Sequence, residues 1–263
     1  MAVIDGGICK DHVDLKDNID NVASRSFVPG FNYYDDTGGP TAFRHACHVA
    51  GIIAAEDNAI GTVGVAPKAT IISLKALHGG SGSFGAVIEA ILYASDKISE
   101  GGAGADIINM SLGAPFPRGG GNMGAGALVA AMNQAVNYAA SKNVLVVVSS
   151  GNAGQDLDHL GPHIQIPAQS GSAIGIGATG PVGYAVGWPS GATNFRHFAS
   201  YSNYGHSLNF LAAPGGDDIY TPTSSICSIP RIPRGRSPRR AGCSTLILSP
   251  GAGTGSYFFA DGT

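Results

Sequence analysis

The stretch Arg44-His45-Ala46-Cys47-His48-Val49-Ala50-Gly51-Ile52-Ile53-Ala54-Ala55 decides how the rest of the chain is read. Its apolar and small residues predict a buried helix, with His45 and His48 on one face and Val49, Ile52 and Ile53 extending the apolar surface behind them. Two imidazoles at the head of such a helix are either satisfied core groups or part of a site. A zinc site of His45, Cys47 and His48 is the weaker alternative. The three side chains diverge around the helix, and no second Cys or His cluster completes a tetrahedral set.

Working outward, Met1 to Gly7 is a short apolar run that stops at an acid followed by two glycines. That pattern predicts a buried parallel strand ending in a tight turn, with Asp5 at its carboxyl end. Acids at that edge of an open α/β sheet usually face a site. Downstream, Val144 to Ser150 is a β-branched strand running into the turn Gly151-Asn152-Ala153-Gly154.

Three segments, Asp5-Gly6-Gly7, His45-Ala46-Cys47-His48-Val49-Ala50-Gly51 and Gly151-Asn152, occur in that order. They resemble the Asp-Thr/Ser-Gly, His-Gly-Thr-His-Val-Ala-Gly and Gly-Asn signatures of the subtilisin-like serine proteases, the subtilases. The resemblance covers nearly the whole chain. It implies one α/β catalytic domain over residues 1–263, a mostly parallel sheet sandwiched between helices with the site at the carboxyl ends of the strands. It also implies endopeptidase chemistry by an Asp-His-Ser triad. Asp5 orients and charge-stabilises the imidazole, His45 is the general base, Asn152 supplies an oxyanion donor, and His48 is structural. Three departures alter the surroundings without removing a catalytic group: Gly6 for Thr or Ser, Ala46 for Gly and Cys47 for Thr. A bulky reagent on a Cys47 thiol, two residues away in the same helical turn, is expected to displace the imidazole and block activity.

The resemblance further assigns Gly80, Ser81 and Gly82 to one wall of a cleft that pairs with an extended peptide as a β-strand. Ser111, Leu112 and Gly113 form the opposite wall, and Ser150 and Gly151, beside Asn152, are further substrate-binding residues. Gly80-Ser81-Gly82-Ser83-Phe84-Gly85 also fits G-x-G-x-x-G, the basis of a dinucleotide-binding alternative. That match does not follow the first strand. Gln165-Ile166-Pro167-Ala168 resembles the family's corner at the base of the specificity pocket, where Pro167 is cis in relatives and Gln165 brings no charge. The loop from Glu56 to Thr62 resembles the family's calcium loop, with Asp14, Asn58 and the carbonyls of Glu56, Ile60 and Thr62 as oxygen ligands.

The 263 residues, 44% hydrophobic and 13% charged, suffice for a sizeable core. Their 40 glycines are spread through turns rather than repeated. A net charge of -3 gives no global reason to expect nucleic acid or an anionic membrane, and no apolar run has the length of a membrane span. The expected partners are polypeptide substrates, and the expected state is a monomer. Thr221 to Pro250, with five arginines between Arg231 and Arg240, reads as a long exposed loop. Cys227 and Cys243 bracket it, and a bridge between them would suit a secreted protein.

In the resembled family the nucleophile stands in Gly-Thr-Ser-Met-Ala. This sequence closes with Tyr257-Phe258-Phe259-Ala260-Asp261-Gly262-Thr263, one residue before that serine. The expectation is a fragment that lacks the nucleophile, is incomplete at its N-terminus as well, and does not turn over substrate by itself. A peptide-binding pseudoprotease is the alternative.

Overall fold

The computed structural model describes residues 1–37, 43–118, 125–182, 194–217, 227–230, 247–252, 255–260 and 262–263. In chain order the elements are β1 (Ala2–Asp5), β2 (Arg25–Ser26), α1 (His45–Ala54), β3 (Ile72–Lys75), α2 (Phe84–Ser95), β4 (Ile107–Met110), β5 (Ala114–Pro117), α3 (Ala125–Ser141), β6 (Leu145–Ser149), β7 (His163–Ile166), β8 (Ile174–Val182), β9 (Asn194–Phe198), β10 (Asn209–Pro214), β11 (Cys227–Pro230), β12 (Ile247–Ala252) and β13 (Ser256–Ala260).

The main sheet runs β10-β8-β6-β4-β1-β3-β2. Each of these pairings is parallel, and β9 lies antiparallel on β8. β1 is the switch point, because the chain leaves it for β2 and β3 on one side and then crosses to β4 on the other. An open parallel sheet offers a crevice beyond its carboxyl edge at such a point.

Strand β1 is buried on both faces, which is why its sequence is a continuous apolar run. Side chains alternate along it. Ala2 and Ile4 enter the core that holds Val87 and Ile91 of α2 and Met132 and Val136 of α3. Val3 enters the second core, with Ala50 and Ala54 of α1. Asp5 follows Val3 by two positions and so falls on the α1 side. The local pattern of the strand therefore aims the acid at the helix that carries His45.

Helix α1 packs closely because its buried side chains are small: Ala46, Ala50, Gly51 and Ala54. A Cβ on Gly51 would lie 2.3 Å from Ser249 Oγ and 2.4 Å from Pro250 Cδ. Glycine at that position is what lets α1 rest on β12. Helix α2 is capped by Ser83, whose Oγ accepts the Ala86 amide at 3.1 Å.

The structure corrects the long-loop reading of residues 221–250 at its ends. Cys227–Pro230 and Ile247–Ala252 are strands, joined through β13 in an antiparallel three-stranded sheet. They were illegible in the sequence because Pro230, Pro250 and Gly251 interrupt the alternation, and their pairing is long-range. Arg231 to Arg240 and a Cys227–Cys243 bridge lie outside the described residues and side chains. No helix among the described residues is long and apolar enough to cross a membrane.

Candidate active site

Asp5 and His45 meet across the β1–α1 packing, with His45 Nδ1 2.7 Å from Asp5 Oδ2. The Asp5 side chain is 3% exposed, whereas that of His45 is 51% exposed. A carboxylate acceptor requires a proton on Nδ1, so in the neutral ring Nε2 is left as the base. The Gly6 amide donates to the other Asp5 oxygen, Oδ1, at 2.6 Å. The Asp5 charge raises the His45 pKa above the ordinary imidazole value, burial opposes it, and Asp36 adds a smaller push upward.

Asp5 and His45 line a cleft of about 520 Å³ that also holds Gly80, Ser81 and Gly82 on one side and Ser111, Leu112 and Gly113 on the other. These are the walls expected from the sequence. The first two glycines of the G-x-G-x-x-G match, Gly80 and Gly82, therefore open onto this cleft, and Ser83 occupies the helix N-terminus where a pyrophosphate would sit. Ile166 and Pro167 line the cleft as well, and the bond between them is cis. Gln165 is 6% exposed. Its amide nitrogen would stand 3.1 Å from a Cβ on Gly113 and 3.2 Å from one on Gly151, so the two glycines pack tightly around it.

The structure adds detail at Ser150 and corrects the reading of Cys47. Ser150 is fully buried and its Oγ donates to the Asn203 carbonyl at 3.0 Å, so its side chain braces the turn. Cys47 carries no thiol. It is bonded to Cys9, with the two Cα atoms 5.5 Å apart, which removes both the thiol-modification expectation and the zinc set. Sequence spacing alone did not pair these cysteines, because only the β1–α1 packing brings them within disulfide reach.

The turn carrying Asn152 is organised by a residue that sequence reasoning missed. Asn203 donates to the Ser150 carbonyl at 3.0 Å and accepts the amides of Ala153 and Gln155 at 3.0 and 2.9 Å. Its own amide donates to the Gly151 carbonyl at 2.9 Å. Gly151, at φ +103°, holds a conformation that favours glycine. Asn152 Oδ1 accepts from the Thr263 amide at 3.1 Å and from Thr263 Oγ1 at 2.9 Å, so its Nδ2 is left to donate elsewhere.

The second candidate site is the loop after α1. Asp14 is completely buried. Its Oδ2 accepts from the Thr62 amide at 2.9 Å and from the Tyr257 hydroxyl at 3.2 Å. Oδ1 is buried with no hydrogen-bond partner among the described residues. Burial pushes the Asp14 pKa up, against those hydrogen bonds. Asn58 reaches back to the Val13 carbonyl at 3.0 Å, and the Glu56 amide donates to the Asp14 carbonyl at 2.8 Å. Of the expected ligands, Thr62 contacts the carboxylate itself, Glu56 and Asn58 are tied to the Asp14 and Val13 backbone, and the Ile60 amide donates to Asn58 Oδ1 at 3.2 Å. Asp14 Oδ1 is an orphaned buried carboxylate oxygen beside an oxygen-rich loop, and a carboxylate oxygen of this kind fits a hard cation.

A buried acid holding an imidazole at the carboxyl edge of a parallel sheet, above a two-walled cleft, defines a class: proteins equipped to move a proton to or from a bound group through histidine. Comparison with known proteins narrows the class to one family. Residues 1–242 match the family model "Peptidase_S8: Subtilase family", and the chain belongs to that family of serine endopeptidases. It is 33% identical to subtilisin DY of Bacillus licheniformis, over 95% of this chain and 76% of that protein. It is 30% identical to a thermophilic serine proteinase of Bacillus sp. (strain AK1), over 98% of this chain but 58% of that one. Among solved structures, the nisin leader peptidase NisP from Lactococcus lactis superposes with a TM-score of 0.72 at 21% identity. That match covers 99% of this chain and 72% of the other, and it shows the shared fold.

Proposed function

We propose that this chain carries the acid, the base and one oxyanion donor of a serine endopeptidase site, and that a serine joined to Thr263 completes it. The observation that supports this most is the Asp5–His45 hydrogen bond of 2.7 Å at the head of the cleft. In this reading His45 Nε2 takes the serine proton as the oxygen attacks a peptide carbonyl. The Asp5 carboxylate stabilises the imidazolium, and His45 then returns the proton to the leaving amine. Asn152 Nδ2 donates to the oxyanion, a contribution worth about 100- to 1000-fold in kcat. The substrate lies as an extended strand between Gly80–Gly82 and Ser111–Gly113.

Thr263 supports the placement of the nucleophile, because its amide and hydroxyl already hold Asn152. The next residue would emerge beside the oxyanion donor. The test is to express the 263 residues alone and with the downstream coding sequence, and to treat both with a fluorophosphonate probe and casein. Labelling and cleavage are expected in the extended form alone. Equal turnover by both would place the nucleophile elsewhere, and casein binding without cleavage by the extended form would support the pseudoprotease instead.

Calcium is the cation proposed for the Asp14 loop, held by Asp14, Asn58 and the carbonyls of Glu56, Ile60 and Thr62. It would supply charge compensation and stability there, not chemistry. The Cys9–Cys47 disulfide supports export to an oxidising compartment.

A further inference from the structure

We propose that Cys9 and Cys47 are a positioning pair, whose disulfide pins the first turn of α1 so that His45 stays hydrogen-bonded to Asp5. This rests on the reading of Asp5 and His45 as catalytic. Each half of the dyad lies close in sequence to one half of the disulfide. Asp5 ends β1 and Cys9 follows four residues later; His45 opens α1 and Cys47 follows two residues later. The hydrogen bond and the disulfide therefore close a small ring across the strand–helix packing.

The need for such a link comes from the helix terminus. Arg44 at the N-cap makes no side-chain capping bond, and no acid stands in the first turn. The free amides of an uncapped first turn favour fraying, and His45 is its first residue. Fraying would swing the imidazole away from the acid. Cys47 is in that turn and is fully buried.

Its partner sits on a fixed support. The Ile8 amide donates to the Tyr33 carbonyl at 3.2 Å, the His12 amide donates to the Cys9 carbonyl at 3.1 Å, and a Cβ on Gly7 would lie 2.1 Å from the Asp35 carbonyl oxygen. The segment from Asp5 to Cys9 has little room to move, so the disulfide ties a frayable turn to a rigid one. Where relatives of the resembled signature place a threonine, this chain uses a covalent bond.

The charged groups around His45 define the readout. Asp5 on β1 and Asp36 on the loop before α1 raise its pKa. Arg44 precedes it, and Lys75 on β3 pairs in register with Asp5 while donating to the Leu77 carbonyl at 2.7 Å. Loss of the Asp5 contact removes the largest upward push. Histidine-resolved NMR titration of the parent chain and of Cys9→Ala/Cys47→Ala tests the proposal. His159 serves as an internal reference, because it is paired with Asp156 at 2.7 Å on a different loop.

The expected result is a His45 midpoint that falls toward the ordinary imidazole value while His159 does not move. The same change is expected in the parent chain after reduction by a dithiol, which passes two electrons and two protons to the sulfurs and becomes a disulfide itself. In the serine-extended chain, the double variant should lose about 10- to 100-fold in kcat with KM little changed. An unchanged His45 midpoint overturns the proposal. So does a collapse of both midpoints, which would make the disulfide a staple of the whole fold. Failure of the serine-extended parent to cleave casein would sink the catalytic reading and leave this titration standing.

Discussion

His45 is the residue whose charge state the neighbouring acid controls most directly. Its pKa is raised by Asp5, so the sign of the coupling follows. The pairing contributes stability in full below the ordinary imidazole value, and the contribution is lost as pH rises through the raised one. The general base must be neutral, so the acid limb of the kcat/KM profile should sit above the ordinary imidazole value. In the serine-extended chain, Asp5→Asn should shift that limb to lower pH. It should also lower kcat by about 3 × 10⁴-fold, the size of loss seen for the equivalent aspartate of subtilisin itself. A pH–rate series on purified parent and variant decides it. An unmoved limb would mean that Asp5 does not set the His45 proton affinity.

At the scale of elements, α1 is the piece whose placement matters most, because it brings His45 to the end of β1. It is held on one side by Val3 of β1 and on the other by β12, where Gly51 faces Ser249 and Pro250. Ser249 Oγ donates to the His48 carbonyl at 2.8 Å, so the contact is specific as well as tight. Adding a methyl there forces the helix and strand apart. Gly51→Ala should cost about 1–3 kcal/mol by overpacking. Gly126 in α3 has no atom within 4 Å of where its Cβ would be, and Gly126→Ala should be neutral or stabilise by up to about 1 kcal/mol. Calorimetry of the two variants should move the melting temperature in opposite directions or leave only Gly51→Ala lowered. Equal behaviour would mean that the α1–β12 contact is loose.

At the scale of the whole molecule, the Asp14 loop ties the two ends of the chain together. Tyr257 of β13 donates to Asp14, and His12 Nε2 lies 3.0 Å from the Ser256 carbonyl. The Asp14 amide donates to His12 Nδ1 at 3.2 Å, so Nε2 carries the proton and donates to Ser256. The Asp14 pKa is raised by burial. Without a cation, stability is therefore fully present below the ordinary carboxylate value and is lost as pH rises toward the raised one. A bound cation offsets that loss. Calcium should raise the melting temperature at neutral pH, a chelator should lower it, and Asp14→Asn should remove the difference. Excess ligand at about 100 times Kd corresponds to about 2.7 kcal/mol. Identical melting curves in calcium and in chelator would remove the site.

The sequence by itself determined the strand that ends in Asp5, the helix that opens with His45, and the β-branched strand that delivers Asn152. Each is a local pattern: a continuous apolar run, a helical spacing of small residues, a run into a Gly-Asn turn. Alternation along β1 alone puts Asp5 on the face of Val3, and the order of the motifs identified the family. Only the tertiary structure decided the pairing of Cys9 with Cys47, the bracing of the Asn152 turn by Asn203, the burial of Ser150 and the strands β11 and β12. Those features depend on which distant segments pack together. A disulfide needs its Cα atoms within a few ångströms in space, and a buried amide is satisfied by whatever carbonyl the fold brings to it. No periodicity within one segment records either.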